Sequence, residues 1–340
     1  MRKSTMLFSA VFFASVWVVQ GSYAAEKPIG FEFSSVFASN HDVTKTLVEM
    51  NRTIEQRAGG RVKITLYPEG TLTSVPQTYD AVVKGIADMG QGSFSFNRGR
   101  FPLTELLDLP LGLRSSYEGA QLANAFYKKF QPKELSDVKV LFLVMTPPNL
   151  FQTNKRVKTV DDLKGLKTRV PGGTAAEVVS AFRAAPVAMP MGDAYDAMRK
   201  GIVQAVMCAY EPLEMRSLAD VVKFSVENFE AGLGVSGFVV MNKTKWNKLP
   251  PDIQKIFQDT ADEYMEKVAQ AWDKQEQRAK RFAKQKGVEV ITLSKEEEAR
   301  SAQMVKPVLD KYVKDKTALG LPAKEALSFC QEYVEKNLRK

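Results

Sequence analysis

The sequence has few of the residues from which metal centres and cross-links are made. Its 340 residues include one histidine, His41, and two cysteines, Cys208 and Cys330. So few thiol and imidazole ligands argue against a structural zinc site or a His-rich metal centre, and we expect neither a metal nor a cofactor. Two cysteines do not form a disulfide framework either, although a single bridge between them stays open.

Motifs for nucleophilic catalysis and nucleotide binding are also missing. No Gly-x-Ser-x-Gly elbow is present, and His41 and Asp42 fall in the first turn of a predicted helix, so they do not indicate a catalytic dyad. Residues 232–237 match Gly-x-Gly-x-x-Gly. The dinucleotide motif requires a helix next, however, and residues 238–241 continue as a strand. We therefore set nucleotide binding aside.

Only one long apolar run occurs, and it lies at the N-terminus. A positively charged start precedes the 14-residue run Met6–Val19, which ends in small residues up to Ala24. This arrangement predicts a signal peptide over residues 1–24, cleaved after Ala24. The alternative, a membrane anchor, is disfavoured because a span needs roughly 20 apolar residues. We therefore expect a soluble mature chain outside the cytoplasm.

The charge balance is basic, since Lys and Arg outnumber Asp and Glu by 48 to 39. A basic balance permits nucleic-acid binding, but an exported protein rarely meets nucleic acid. The Lys and Arg residues also alternate with Glu and Asp along segments such as 252–286, which is typical of solvated helix faces. We expect no nucleic-acid partner.

The rest of the chain alternates between strand and helix patterns. Ile29–Phe37 is apolar and β-rich, and Asn40 stands where an N-cap precedes a helix over 41–58. After residue 148 the alternation restarts, which indicates a second α/β unit. An amphipathic helix of about 35 residues over 252–286 is predicted to brace two lobes. Further strands are predicted at 62–67, 138–145, 167–170, 234–241 and 288–291, and further helices at 77–84, at 160–163, after 173 and, twice, at the C-terminus.

Arg169 is the most informative candidate for binding chemistry. It ends an apolar strand directly before the break Pro171-Gly172-Gly173, so its guanidinium is expected to reach a cleft at that strand end. A planar guanidinium matches a carboxylate bidentately, which is what a receptor for an organic acid needs. The alternative is a structural salt bridge, and spacing alone does not decide between the two.

Several linked segments resemble one known family. Residues 163–173, together with 85–90, 186–195 and 198–212, are similar to the solute-binding subunit of a tripartite ATP-independent periplasmic (TRAP) transporter of the DctP type. The similarity runs in the same order over nearly the whole mature chain, and it includes the Lys-Leu-Pro-Pro-Asp sequence at 248–252 that precedes the long helix.

The resemblance implies an α/β fold of two lobes, the type II periplasmic-binding-protein fold, with hinge-crossing strands and a long bracing helix. One lobe is expected to comprise residues 25–147 plus 235–272, and the other 148–234 plus 273–340. The resemblance also implies a receptor that is not an enzyme, and that delivers an organic acid to TRAP membrane permease subunits.

The family's carboxylate-binding arginine corresponds to Arg169. By the same resemblance the pocket uses the end of the first strand, from Phe37 to Asn40, then Ser93 and Phe94, and Met191. Many relatives carry a second pocket arginine about 20 residues before the first, where this chain has Asn149. Relatives also tend to have Val-Asp-Gly where this chain has Val-Gln-Ala at 203–205.

These departures favour a ligand with one carboxylate and an apolar or aromatic body. The large apolar and aromatic residues assigned to the cleft are Phe37, Phe94, Phe151, Met191, Met207 and Tyr210, and roughly half of them are expected to be core residues.

Two alternative functions stay open. One is a receptor of the same family for a dicarboxylate or a sugar acid, and the other is a secreted hydrolase that uses the acid pair Glu211 and Glu214. Such pairs are common on solvated helix faces, and no nucleophile, metal or histidine constellation accompanies this one, which favours the receptor.

Overall fold

The computed structural model describes residues 27–97 and 99–339. The predicted signal peptide, residues 1–24, lies outside the described residues. Two β-sheets form the centres of two lobes. The first sheet has the strand order β2-β1-β3-β10-β4, and its strands are β1 (Ile29–Ser35), β2 (Val62–Tyr67), β3 (Met89–Ser93), β4 (Val138–Met145) and β10 (Ser236–Asn242). β1 is parallel to β2 and β3, whereas β10 is antiparallel to β3 and β4.

The second sheet has the strand order β11-β9-β5-β8-β6-β7. Its strands are β5 (Leu150–Thr153), β6 (Lys167–Val170), β7 (Ala185–Ala188), β8 (Ala205–Cys208), β9 (Phe224–Glu227) and β11 (Glu289–Thr292). β6 is parallel to β7 and β8, while β5 is antiparallel to β8 and β9. The mixed α/β architecture with two sheets confirms the predicted fold class.

Helices cover the faces of both sheets. They are α1 (Asp42–Arg57), α2 (Thr78–Val83), α3 (Ser116–Phe130), α4 (Thr174–Ala181), α5 (Ala194–Arg199), α6 (Glu211–Met215), α7 (Lys243–Lys248), α8 (Pro251–Gln285), α9 (Lys295–Ala318) and α10 (Ala323–Tyr333). Residues 160–163 form a single 3-10 turn. No helix in the described part of the chain is long and apolar enough to cross a membrane.

The N-cap of α1 corrects one prediction. Asn40 was expected to cap this helix, but the cap is His41, whose Nδ1 accepts a hydrogen bond of 3.2 Å from the Val43 N–H. An imidazole lone pair replaces the side-chain oxygen that usually fills this position. Asn40 is exposed, one residue outside the cap.

Two antiparallel segments connect the sheets. Residues 146–149 lead from β4 to β5, and the segment ending at Val235 leads from β9 back to β10. They are hydrogen-bonded to each other, from the Thr146 N–H to the Val235 carbonyl at 3.0 Å and from the Asn149 N–H to the Leu233 carbonyl at 2.8 Å. The strands of the first sheet come from residues 29–145 and 236–242, and those of the second from 150–227 and 289–292. The exact lobe boundaries stay a prediction.

The C-terminal helices contact both lobes. α9 packs on α4 of the second lobe, while its Tyr312 hydroxyl donates to the Pro102 and Leu103 carbonyls, both at 3.0 Å. Phe329 of α10 packs edge-on against Phe130 of α3 at 5.6 Å between ring centroids. Cys208 and Cys330 are both buried free thiols in separate apolar clusters, so no bridge joins them.

Candidate functional site

The candidate site lies where the crossing segments join the two sheets. β4 ends and β10 begins at this edge of the first sheet, and the β3–β10 pairing places Ser93 opposite Gly237 there. In the second sheet the crossing leads into the start of β5, and Leu150 pairs with Cys208 at the end of β8. The carboxyl ends of β1, β3, β6 and β8 therefore border the space between the lobes, which is where ligands of open α/β sheets bind.

Arg169 carries a buried positive charge at this edge. Arg169 is only 4% exposed, and its Nε donates to the Met189 carbonyl at 3.0 Å. Burial lowers the pKa of its guanidinium, and the neighbouring Cys208 and Asp193 offset that effect in part. No carboxylate among the described residues forms a salt bridge with it. The structural salt bridge considered as an alternative is therefore not formed within the described part of the chain.

The apolar surroundings of Arg169 follow from strand alternation. Arg169 pairs with Val206 in β8 and with Val187 in β7, so its side chain shares their face of the sheet. Val206 and Cys208 belong to an apolar cluster on that face, and Met189 and Met191 are partly buried against it. Met191 therefore packs against the apolar cluster on the Arg169 face of the sheet, and its place in a pocket stays a prediction.

Phe151 and Met207 lie on the face of the second sheet opposite to Arg169. They pair with each other across β5 and β8, each is 1% exposed, and both belong to the core cluster that contains Phe182. The Phe151 and Phe182 rings meet edge-on at 5.7 Å. The structure therefore does not bring these two side chains together with Arg169.

Ser93 and Phe94, at the end of β3 in the first sheet, also lie in different surroundings. Phe94 is 2% exposed and packs against Phe101 and Phe238, with ring centroids 4.8 Å and 5.1 Å away. Ser93 is half-buried at the strand end, and its hydroxyl donates to the Ser236 carbonyl at 3.0 Å. Ser93 borders the space between the lobes, whereas Phe94 lies in the core of its own lobe.

An aromatic group follows the end of β1. Phe37 is half-buried and stacks on His41 at 4.5 Å between ring centroids. Trp272 of α8 packs edge-on against both rings, at 5.2 Å from Phe37 and 4.8 Å from His41. Burial lowers the pKa of His41 to about 4, with Asp42 opposing the shift and Arg278 adding to it. His41 is therefore a neutral structural group at neutral pH.

α8 holds the loop after β8 through a carboxylate. Glu276 accepts hydrogen bonds from the Tyr210 N–H at 2.6 Å and the Glu211 N–H at 3.0 Å. Burial raises the pKa of Glu276 to about 7, although both N–H groups favour the charged form. The Tyr210 hydroxyl donates to Glu227 at 3.1 Å, and Lys280 of α8 pairs with the same carboxylate. Tyr210 is thus fixed at both its backbone and its hydroxyl.

A second carboxylate of α8 makes the equivalent contact in the other lobe. Asp273 accepts from the Ser116 N–H at 2.7 Å and the Tyr117 N–H at 3.0 Å, at the start of α3. The segment 272–280 of α8 therefore holds helix starts and strand ends from both lobes. Sequence reasoning missed these residues, because acidic residues on a long amphipathic helix look like any other solvated charges.

The acid pair Glu211 and Glu214 is engaged in structural contacts. Glu214 lies 3.4 Å from Arg278, which also pairs with Asp42 of α1 at 2.9 Å. Burial raises the pKa of Glu211, and its N–H binds Glu276. Within residues 27–97 and 99–339, no group of three or more His, Cys, Asp and Glu side chains is arranged to hold a metal ion.

Comparison with known proteins gives one family for most of the chain. The model of the DctP family, bacterial extracellular solute-binding protein family 7, matches residues 33–316. A solved TRAP periplasmic solute-binding protein from Desulfovibrio salexigens superposes with a TM-score of 0.85 at 27% identity, over 92% of this chain and 98% of that one. The two-lobed fold is shared with that protein.

Two curated relatives have named ligands. The 2,3-diketo-L-gulonate-binding periplasmic protein YiaO of Escherichia coli is 28% identical over 320 residues, which covers 90% of this chain and 93% of YiaO. A monocarboxylate 2-oxoacid-binding periplasmic protein of Nostoc is 29% identical over 230 residues, 65% of this chain and 60% of that protein.

Proposed function

We propose, from the premise that this chain belongs to bacterial extracellular solute-binding protein family 7, that it binds a monocarboxylate with an apolar or aromatic body. The family consists of receptors rather than enzymes, and the chain is a TRAP solute-binding receptor for organic acids. In the proposal, the receptor works in the periplasm and delivers its ligand to TRAP membrane permease subunits.

The observation that carries the proposal is the buried, unpaired charge of Arg169. Taking a guanidinium out of water costs several kcal/mol unless an anion compensates it. One hydrogen bond to the Met189 carbonyl satisfies one of its five donors. A ligand carboxylate at the strand edge supplies both the charge and the bidentate geometry that the remaining donors match.

The rest of the proposed pocket favours one carboxylate over two. Asn149 is half-buried in the crossing segment, and its amide offers hydrogen bonds without a charge to offset a second buried anion. Met191 and Phe37 are partly exposed and offer apolar surface. Ser93 and Asn40 supply polar contacts at the rim in this proposal, whereas Tyr210 is buried and its polar groups are already bonded to Glu276 and Glu227.

The named ligands of the two relatives support a 2-oxo acid. 2,3-Diketo-L-gulonate carries an oxo group beside its single carboxylate, and so do the 2-oxoacids bound by the Nostoc protein. YiaO also gives specific support to a second candidate, a receptor for a sugar acid. The two candidates differ in the body of the ligand and not in the carboxylate end.

A thermal-shift plate on the mature protein separates them, because a ligand that binds only the folded state raises the melting temperature. Phenylpyruvate, indole acids and branched-chain 2-oxo acids are set against succinate, malate and hexuronates, with a hydrolase assay on glycoside substrates alongside. We expect the largest shifts from the apolar 2-oxo acids. A clear preference for dicarboxylates or hexuronates contradicts the proposed pocket, and glycoside turnover contradicts the receptor.

A further inference from the structure

A group of exposed cations lies on the second sheet at the edge away from the crossing segments. β5 begins beside the crossing and ends at Thr153, while β6, β7, β8 and β9 all begin at that far edge. The loops there carry six exposed cations that form no salt bridge with any described residue: Lys155, Lys164, Lys167, Arg183, Lys200 and Lys223. We call this surface the basic pole.

Backbone hydrogen bonds show that these loops are neighbours. The Lys223 N–H donates to the Thr153 carbonyl at 2.9 Å, and the Asn154 N–H donates to the Gln204 carbonyl at 3.0 Å. The Gln204 N–H in turn donates to the Lys167 carbonyl at 2.8 Å. The Gly165 N–H then donates to the Arg183 carbonyl at 2.9 Å. The cations come from separate parts of the sequence but form one continuous surface.

The carboxylates near this surface are already engaged. Asp196 pairs with Arg199, Asp220 with Lys286 and Glu289 with Arg156. Asp161 pairs with Arg300 and lies within electrostatic range of Arg183. Asp162 accepts the N–H groups of Lys158 and Thr159 and faces the Lys158 charge. These carboxylates therefore do not pair with the six cations of the basic pole, which stay available to an external anionic partner.

We propose that the basic pole binds an anionic lipid surface, so that the receptor is held at a membrane with its ligand cleft on the opposite edge of the same lobe. Five of the six cations are lysines. Lysine is depleted in protein–protein interfaces, where arginine is enriched. A compact, hydrated ammonium suits diffuse attraction to headgroups better than paired recognition of protein carboxylates.

An exposed apolar side chain in the same surface supports a lipid partner. Ile202 is 51% exposed, two residues from Lys200 and two from Gln204. An isolated apolar side chain among cations is suited to the boundary between headgroups and acyl chains. The proposal does not depend on which acid the receptor binds, because none of these residues belongs to the proposed pocket.

The test uses the mature, tag-free protein and sedimentation with vesicles of equal parts phosphatidylcholine and phosphatidylglycerol, beside pure phosphatidylcholine vesicles. The first variant, which we call the pole variant, carries Lys155→Gln, Lys164→Gln and Lys223→Gln. The control carries Lys84→Gln, Lys248→Gln and Lys314→Gln, which removes the same charge from exposed lysines without salt bridges elsewhere. Each lysine near an anionic surface is expected to contribute about a fivefold factor in partitioning.

We expect binding to the anionic vesicles only, weaker at physiological than at low ionic strength. The pole variant should lose about 100-fold in partitioning, while the control should lose much less. The proposal is overturned if the protein does not sediment with anionic vesicles at low ionic strength, or if both variants lose binding equally. Retention on immobilised polyglutamate without vesicle binding overturns it in favour of an acidic protein partner.

Discussion

Replacing Arg169 with methionine tests the central contact of the proposed site. Methionine has a similar volume and no charge, and Arg169 is 4% exposed with its Nε on the Met189 carbonyl. The change removes the proposed partner of the ligand carboxylate and leaves that carboxylate in an apolar site. Removing one partner of a buried ion pair costs about 3–5 kcal/mol, which corresponds to a loss of affinity of at least about 100-fold.

The same substitution has the opposite effect on the protein without ligand. Arg169 makes one hydrogen bond and no salt bridge within the described residues, so its charge is largely uncompensated there. Replacing a buried ionic group by an apolar one of similar volume is often neutral or stabilising. We therefore expect the melting temperature of the unliganded variant to be unchanged or higher, which separates lost binding from misfolding.

The assay is titration calorimetry with the acid that gives the largest shift in the thermal-shift plate. Arg183→Met is the matched control, because Arg183 is an exposed arginine of the same lobe without a salt bridge among the described residues. We expect the control to bind like the unmodified protein. A loss of less than about tenfold for Arg169→Met, roughly 1.4 kcal/mol, refutes the assignment.

Three further predictions concern motion and pH. Small-angle scattering should give a smaller radius of gyration with saturating ligand, because crossing segments between two lobes act as a hinge; an unchanged radius contradicts closure. His41 is the sole histidine, and its NMR signal in tag-free protein should titrate near pH 4, its pKa being lowered from 6.5 by burial. Stability should therefore fall as pH drops from 6.5 to 4, since the unfolded chain takes the proton first, and His41→Asn, which keeps a capping group, should lose that dependence. The pKa of Glu276 is raised by burial from 4.5 to about 7, so its contribution to stability should decrease as pH rises over that range; melting curves of Glu276→Gln that keep the same pH dependence contradict this.

The elements predicted from local pattern agree well with the structure. β4 was expected at 138–145 because eight apolar-rich residues suit a strand buried on both faces, and all but one of them are buried. α8 was expected over 252–286 and spans Pro251–Gln285, since its periodicity continues without a glycine or an internal proline. Both signals are contained in the segment itself, so distant contacts are not needed to read them.

The cap of α1 and the apolar pocket residues depend on contacts that the local pattern does not contain. His41 is held between Phe37 and Trp272, and Trp272 lies far along the chain. Phe151 and Met207 are assigned to the cleft by the family resemblance, but a strand alternates its side chains between two faces. The pairing of Arg169 with Val206 decides which face is which, and that register is a property of the folded sheet.

Arg169 and the lysines of the basic pole carry the same charge in the second lobe, but their proposed roles differ because one is buried and the others are exposed. Arg169 is buried among apolar side chains, where water does not screen it, so one small anion in contact has a large effect on its free energy. The lysines of the basic pole are exposed, where each charge is weakly coupled to any single partner, so only a surface with many anions gives appreciable binding. A short strand separates the two environments, since Lys167 begins β6 at the pole and Arg169 follows two residues later. Burial, and not the number of positive charges, therefore distinguishes the proposed ligand contact at Arg169 from the exposed surface at Lys167 in this lobe.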